Sequence, residues 1–240
     1  MTDSTNPLVH YKFDDSLSFI TLDDGKANVM SLQMLSEINA ALDQAEQHGS
    51  VVILTGREKI LSAGFDLGVF KRGDKEEIYI MLEAGARLCH RLLSFPLPTI
   101  AACGGHAIAM GTFVLLSCDY RVGSTGEAKF AANEVAIGLT VPHFAIEVCR
   151  QRLAPASLNK AVNLAHFFDV GEALQAGFLD EVTSEDGLSE LAITRAKAFA
   201  QLDLASHAAT KLRLRAPLLE ALEYAIHTDC EGWRKSYGLE

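Results

Sequence analysis

The chain has 240 residues, 49% of them hydrophobic and 22% charged, with a formal net charge of −10. This balance supports a packed core and excludes a disordered chain, while the length alone admits one large domain or two small ones. The acidity disfavours non-specific binding to nucleic acid or to anionic membrane surfaces, although a local basic patch still admits an anionic small ligand.

Residues 8–22 alternate polar and apolar side chains around Asp14-Asp15, which predicts two short strands joined by a turn. Asp24-Gly25-Lys26 is a second turn signal. Apolar residues at Leu32, Leu35, Ile38, Leu42 and Ala45 recur at a helical period, with Ser31 as the N-cap. Val51–Thr55 is a short apolar run and predicts a buried strand. A helix is predicted from about Glu76 to Ser94, stopped by Pro96 and Pro98, followed by a buried strand over Thr99–Cys103. Gly111–Cys118 predicts a wholly apolar helix and Tyr120–Gly123 a strand. Strand and helix alternating at this spacing predict an α/β core of parallel strands covered by helices. From Pro155 onward the pattern becomes helical over 158–165, 171–177 and 187–200, with one strand-like piece at Leu179–Val182. Ser206–Trp233 then predicts one or two helices. No low-complexity linker divides the chain, so we expect one domain with a helical C-terminal extension available for packing on a neighbouring subunit.

Five cysteines lie scattered without a CxxC pair, which predicts buried free thiols in a reducing compartment. The eight histidines show neither HxxxH nor HExxH spacing, so no metal is expected. The N-terminus lacks a basic region followed by an apolar one, and no apolar run reaches the roughly 18 residues of a membrane span. A cytoplasmic location without a membrane partner is the expectation. Neither a phosphate-binding Walker loop nor a GxGxxG fingerprint is present, which disfavours nucleotide hydrolysis and dinucleotide redox chemistry; no cofactor is expected.

Three segments can carry chemistry. Leu61-Ser-Ala-Gly-Phe-Asp-Leu67 and Cys103-Gly-Gly-His-Ala-Ile-Ala-Met-Gly111 are Gly-bearing turns, each after an apolar strand-like run. Glycine lets the backbone approach a ligand and leaves the next N–H free, and the first N–H groups of a helix lack internal partners. Two such turns can offer two donors to one oxygen. The third segment, residues 130–139, holds a single carboxylate, Glu134, in an otherwise apolar and uncharged stretch. A carboxylate beside a polarised carbonyl can move a proton, and burial would bring its pKa towards neutrality.

Leu-Ser-Ala-Gly-Phe-Asp-Leu resembles the crotonase superfamily motif Phe-Ser-Ala-Gly-x-Asp-Leu. Pro98-Thr-Ile-Ala-Ala-Cys-Gly-Gly-His-Ala to Ser117-Cys-Asp-Tyr-Arg121 resembles its second motif, and the order and spacing agree from about residue 8 to residue 183. The resemblance implies an α/β spiral of ββα units over residues 1–190 and a C-terminal helical segment over 191–240 that builds homo-oligomers, either trimers or dimers of trimers. It implies an acyl-CoA thioester as substrate, with coenzyme A part of that substrate rather than a cofactor. Backbone N–H groups of Phe65 and Met110 become the oxyanion donors, although the family usually has glycine at the position of Met110.

Hydratases of the family carry two glutamates, one of them six residues before the Asp of the Cys-Asp pair. Here that position is Phe113, and the second glutamate is Glu134. The segment Asn133-Glu-Val-Ala-Ile-Gly-Leu is similar to that of mitochondrial-type Δ3,Δ2-enoyl-CoA isomerases, so the resemblance implies an isomerase with Glu134 as a solitary proton shuttle. The alternatives are an enoyl-CoA hydratase, a thioester hydrolase and a non-catalytic acyl-CoA binder. Substrate contacts are expected from Lys26 and Ala27 beside the CoA, and from Ser62, Ala63, Gly64, Asp66 and Leu67 in the first turn. Phe113, Pro142 and Phe144 would shape the acyl pocket. Asp66 also reads as a turn-stabilising acceptor, His106 and His143 as structural or pocket-lining histidines, and Asp119 with Arg121 as a structural pair or as caps. Lys211, Arg213 and Arg215 alternate with leucines and present their charge either to a phosphate or to solvent.

Overall fold

A computed structural model describes residues 6–239. The chain opens with β1 (Val9–Asp14) and β2 (Leu17–Leu22), followed by α1 (Leu32–His48). Ser31 caps α1 through its side chain, and Gly49 ends it in the left-handed region. Then come β3 (Val51–Thr55), β4 (Ile60–Ser62), α2 (Leu67–Arg72) and α3 (Lys75–Ser94). The next units are β5 (Thr99–Cys103), β6 (His106–Ile108), α4 (Met110–Ser117), β7 (Tyr120–Ser124) and β8 (Phe130–Ala131). A single 3₁₀ turn over Glu134–Ile137 precedes α5 (His143–Arg150), α6 (Pro155–Val162), α7 (Val170–Ala176) and β9 (Glu181–Thr183). Two helices, α8 (Leu188–Phe199) and α9 (Leu204–Tyr237), complete the chain.

From β3 onward, successive strands deal alternately into two sheets. The larger has the order β1-β2-β3-β5-β7-β9 and is parallel apart from the β1–β2 hairpin. The smaller has the order β4-β6-β8 and is parallel throughout. Each turn of the resulting spiral adds one strand to each sheet and then a helix, as expected from the family resemblance.

The larger sheet is covered on both faces, which is why β3 and β5 are near-continuous apolar runs. Side chains alternate across a strand. Val51 and Ile53 of β3 therefore face Ala192 and Ala196 of α8, while Val52 and Leu54 join the main core beneath α1 and α3. The helix α8 straddles the expected boundary at residue 190 and packs against β3, β5 and β7. Every residue of α4 is buried, so its sequence shows no polar face.

The last stretch is one helix, α9, with Pro217 inside it. At 34 residues it is about 50 Å long. It does not project away from the core: it lies along α3 and α5 of its own chain. Asp229 is the clamp, accepting the N–H groups of His143 at 2.9 Å and Phe144 at 2.8 Å. Those are the first orphan donors of α5, whose own N-cap is Pro142 and supplies no side-chain acceptor. Arg87 meets Glu223 at 2.7 Å, and Arg234 stacks 4.7 Å over the ring of Tyr79.

All five cysteines are reduced and buried. Burial pushes the thiols of Cys89, Cys103 and Cys118 up to about 12, so they are inert as nucleophiles. Among the described residues no helix is long and apolar enough to cross a membrane, and no three His, Cys, Asp or Glu side chains converge as a metal site.

Candidate active site

The three chemical segments converge because each follows one strand of the smaller sheet. Phe65 lies just past β4, Met110 just past β6 and Glu134 just past β8. Neighbouring strands stand about 4.8 Å apart, so three carboxyl-terminal strand ends gather three residues of distant sequence into a strip about 10 Å wide. Such ends are where parallel sheets bind ligands.

The two turns touch. Gly64 has φ +100°, and a Cβ placed on it would lie 2.9 Å from the Cβ of Ala109 and 3.5 Å from the nitrogen of Met110. Ser62 Oγ accepts the Gly64 N–H at 3.1 Å, holding the first turn. The second is held by Thr112, whose hydroxyl donates to the carbonyls of Ala107 at 2.6 Å and Ala131 at 3.0 Å, tying β6 to β8. Ala109 adopts φ 49° and ψ −122°, a conformation that costs an alanine on the order of 1–3 kcal/mol. It turns the chain so that Met110 opens α4. Among the described residues, the N–H groups of Phe65 and Met110 donate to no protein acceptor. Both are available to a ligand oxygen.

The side chains of these two residues share a notch on α3. A Cβ on Gly85 would come within 2.5 Å of the Phe65 ring and 3.3 Å of Met110 Cε. Met110 is fully buried, so its side chain lies in the core and leaves the pocket to its backbone.

Glu134 is 8% exposed, and its Oε2 is buried without a hydrogen-bond partner. Desolvation raises its carboxyl to about 7, opposed by a hydrogen bond from its own backbone. Its neighbour Asn133 also carries a buried, unpartnered Oδ1.

A cavity of about 260 Å³ opens beside these groups. Of the residues expected at the site, Ala63, Phe65, Leu67, Phe113, Glu134 and Pro142 line it. Others do not. Phe144 stands behind Phe113, with ring centroids 5.8 Å apart and edge to face, and supports the wall rather than forming it. Asp66 is the N-cap of α2, accepting the Gly68 N–H at 2.7 Å. Ser62 and Gly64 are buried in the turn itself. Ala27 flanks the site by accepting the Ala63 N–H at 3.0 Å, and Lys26 is exposed beside it. His106 accepts the Lys129 N–H at 3.0 Å and has a structural place. Asp119 and Arg121 do not pair with each other: Asp119 binds Lys211 and Arg215, and Arg121 binds Asp180.

The sequence reading missed Leu82 on α3, and Trp233 and Tyr237 on α9, all of which line the cavity. Nothing in their local pattern marks them, because they reach the site only through the packing of long helices. Asn133 and Thr140 also line it, and Asn133 was legible through its adjacency to Glu134. Leu67 and Ile137, each 55% exposed, and Leu139 at 49% give the cavity an apolar rim.

The family model for enoyl-CoA hydratase/isomerase matches residues 12–236. Three solved structures are close in both sequence and fold. An enoyl-CoA hydratase/isomerase family protein from Pseudomonas syringae is 42% identical, with a TM-score of 0.91 over 93% of this chain and 97% of its own. An enoyl-CoA hydratase from Mycobacterium ulcerans is 40% identical, with a TM-score of 0.90 over 94% and 99%. An enoyl-CoA isomerase from Mycobacterium tuberculosis is 39% identical, with a TM-score of 0.88 over 93% and 97%.

Proposed function

Because the chain belongs to the enoyl-CoA hydratase/isomerase family, we propose that it shifts the double bond of a 3-enoyl-CoA to the 2-position. The reading is carried by one observation. Glu134 is the sole carboxylate lining the cavity among the described residues, and Phe113, 1% exposed, lines it at the position where the resemblance expects the hydratases' other glutamate.

The thioester oxygen is held by the N–H groups of Phe65 and Met110. Ionised Glu134 takes the proton from C2, and the electron pair passes through C1 to the oxygen as a dienolate. Protonated Glu134 then returns the same proton to C4 while the C3–C4 double bond moves to C2–C3. Water is neither consumed nor released. A carboxyl raised to about 7 is suited to both halves, because it is close to balance between base and acid. Each oxyanion donor contributes roughly 2.7–4 kcal/mol to lowering such a barrier.

A second reading, hydration of a 2-enoyl-CoA, is favoured by Asn133. Its Oδ1 and Glu134 Oε2 are both buried acceptors without partners, an arrangement suited to one water donating to each. The names of the similar proteins support both activities.

A panel of 2- and 3-enoyl-CoA esters incubated in deuterated water distinguishes the two. We expect 3-enoyl esters to become 2-enoyl esters and Glu134→Gln to lower that rate at least ~10³-fold while still binding the ester. Accumulation of 3-hydroxyacyl-CoA from the 2-enoyl ester, with no double-bond migration, assigns the chain to hydration. An undiminished rate in Glu134→Gln overturns both.

A further inference from the structure

A second cavity, of about 460 Å³, lies where the first turns of α9 meet the end of α5 and the start of β7. It shares no lining residue with the first cavity. Met110 begins α4 at the active site, and Asp119 lies just past the other end of that helix, about 12 Å along its axis.

Arg152, His207, Lys211 and Arg215 line this cavity, and Arg121, 1% exposed, shares Asp180 with Arg152. Two partly exposed carboxylates answer them, and both oxygens of each are paired. Asp119 Oδ2 accepts from Lys211 at 2.7 Å and from the Thr99 backbone at 2.9 Å, and its Oδ1 faces Arg215 at 2.9 Å. Asp180 Oδ2 takes Arg121 at 2.6 Å and its Oδ1 takes Arg152 at 2.8 Å. The remaining acid, Asp203, is committed to capping α9 through the Ser206 N–H at 2.7 Å. Donors are left over: Nε of Arg152 and Nε2 of His207 are buried without partners. Burial lowers Lys211 below the usual lysine range against the pull of Asp119, and the charge of Arg215 lowers it further. In a chain of net charge −10, the basic side chains here still outnumber the three acids.

We propose that this cavity is a binding site for a phosphate-bearing small molecule. Guanidinium, ammonium and imidazole donors, with the hydroxyls of Ser206 and Thr210 at the wall, suit the several acceptor oxygens of a phosphoryl group. The cavity is larger than inorganic phosphate, and Leu202 and Leu214 on its rim, 49% and 78% exposed, offer a surface to the organic part of the ligand. The site stands whether or not the isomerase reading holds, since its residues are separate from the first cavity.

The test titrates inorganic phosphate, citrate and chloride at matched ionic strength, reading the melting temperature and, for phosphate, the ³¹P line width. We expect a saturable rise in melting temperature with phosphate above that with chloride. His207→Ala and Arg152→Gln should each weaken the phosphate midpoint about 10-fold, the usual scale for one charge-assisted hydrogen bond. Because Arg152 also pairs with Asp180, the His207→Ala variant, checked for its fold by circular dichroism, carries the test. A response equal for phosphate and chloride, a response to citrate alone, or an undiminished response in His207→Ala overturns the proposal.

Discussion

Glu134 owes its chemistry to dryness. Its carboxyl is raised from 4.5 to about 7 by burial, so between those values the folded chain keeps a proton that the unfolded chain has lost. Stability therefore falls as pH rises through that window, and above pH 7 the full penalty, about 3 kcal/mol, is present. Glu134→Gln should accordingly melt higher than the native chain at pH 8, with the difference vanishing near pH 4.5; melting curves across that range check it. In the native chain the proposed reaction requires kcat/KM to rise about tenfold per pH unit below pH 7 and then level, because its first step assigns the base to ionised Glu134. A flat profile between pH 5 and 8 would place the proton transfer elsewhere. The residue could be singled out in the sequence as one acid in an apolar stretch. Its burial and its unpartnered oxygen depended on what covers it.

At the scale of elements, the site is a property of three very short strands. The strand β8 has two residues, and β4 and β6 have three each. No periodicity can be read from so few residues, so the sequence shows the turns after them but not the sheet that aligns them. Helix α3 enters through a missing atom. Glycine inside a helix costs about 0.5–1 kcal/mol relative to alanine, and Gly85 is kept where a Cβ would strike the Phe65 ring at 2.5 Å. Gly85→Ala should therefore retain the fold but push Phe65 and Met110 together out of their notch. We expect turnover to fall about 10-fold and KM to rise, an effect of the size that small misplacements of positioned groups produce. Steady-state kinetics beside an unchanged circular dichroism spectrum would show this, whereas native kinetics would free the donors from any dependence on α3.

Across the whole molecule, α9 turns back to close the cavity with Trp233 and Tyr237. Trp233 meets Phe144 edge to face at 6.4 Å, and Phe144 meets Phe113, so an aromatic ladder joins α9 through α5 to α4. Asp229 sets where this closure sits. Asp229→Ala removes the cap of α5 and leaves two backbone donors unpaired, a loss of about 2 kcal/mol. The expected result is a lower melting temperature together with a raised KM and faster hydrogen exchange over residues 227–237. Exchange unchanged there would mean that the contacts of Arg87 with Glu223 and of Arg234 with Tyr79 hold the helix without it.

The strands of the larger sheet and most of the helices, the two Gly-bearing turns and the isolated carboxylate follow from the sequence alone. They are local: a turn needs its glycine, a buried parallel strand its apolar run, and a helix its period and its cap. Strand β3 and strand β5 match their predicted spans for that reason. The small sheet, the notch at Gly85, the wall from α9 and the basic cavity around Arg152 and His207 are decided only by tertiary structure. Each brings together groups far apart in the chain, and their free energies of contact and burial are set by neighbours that no single segment contains.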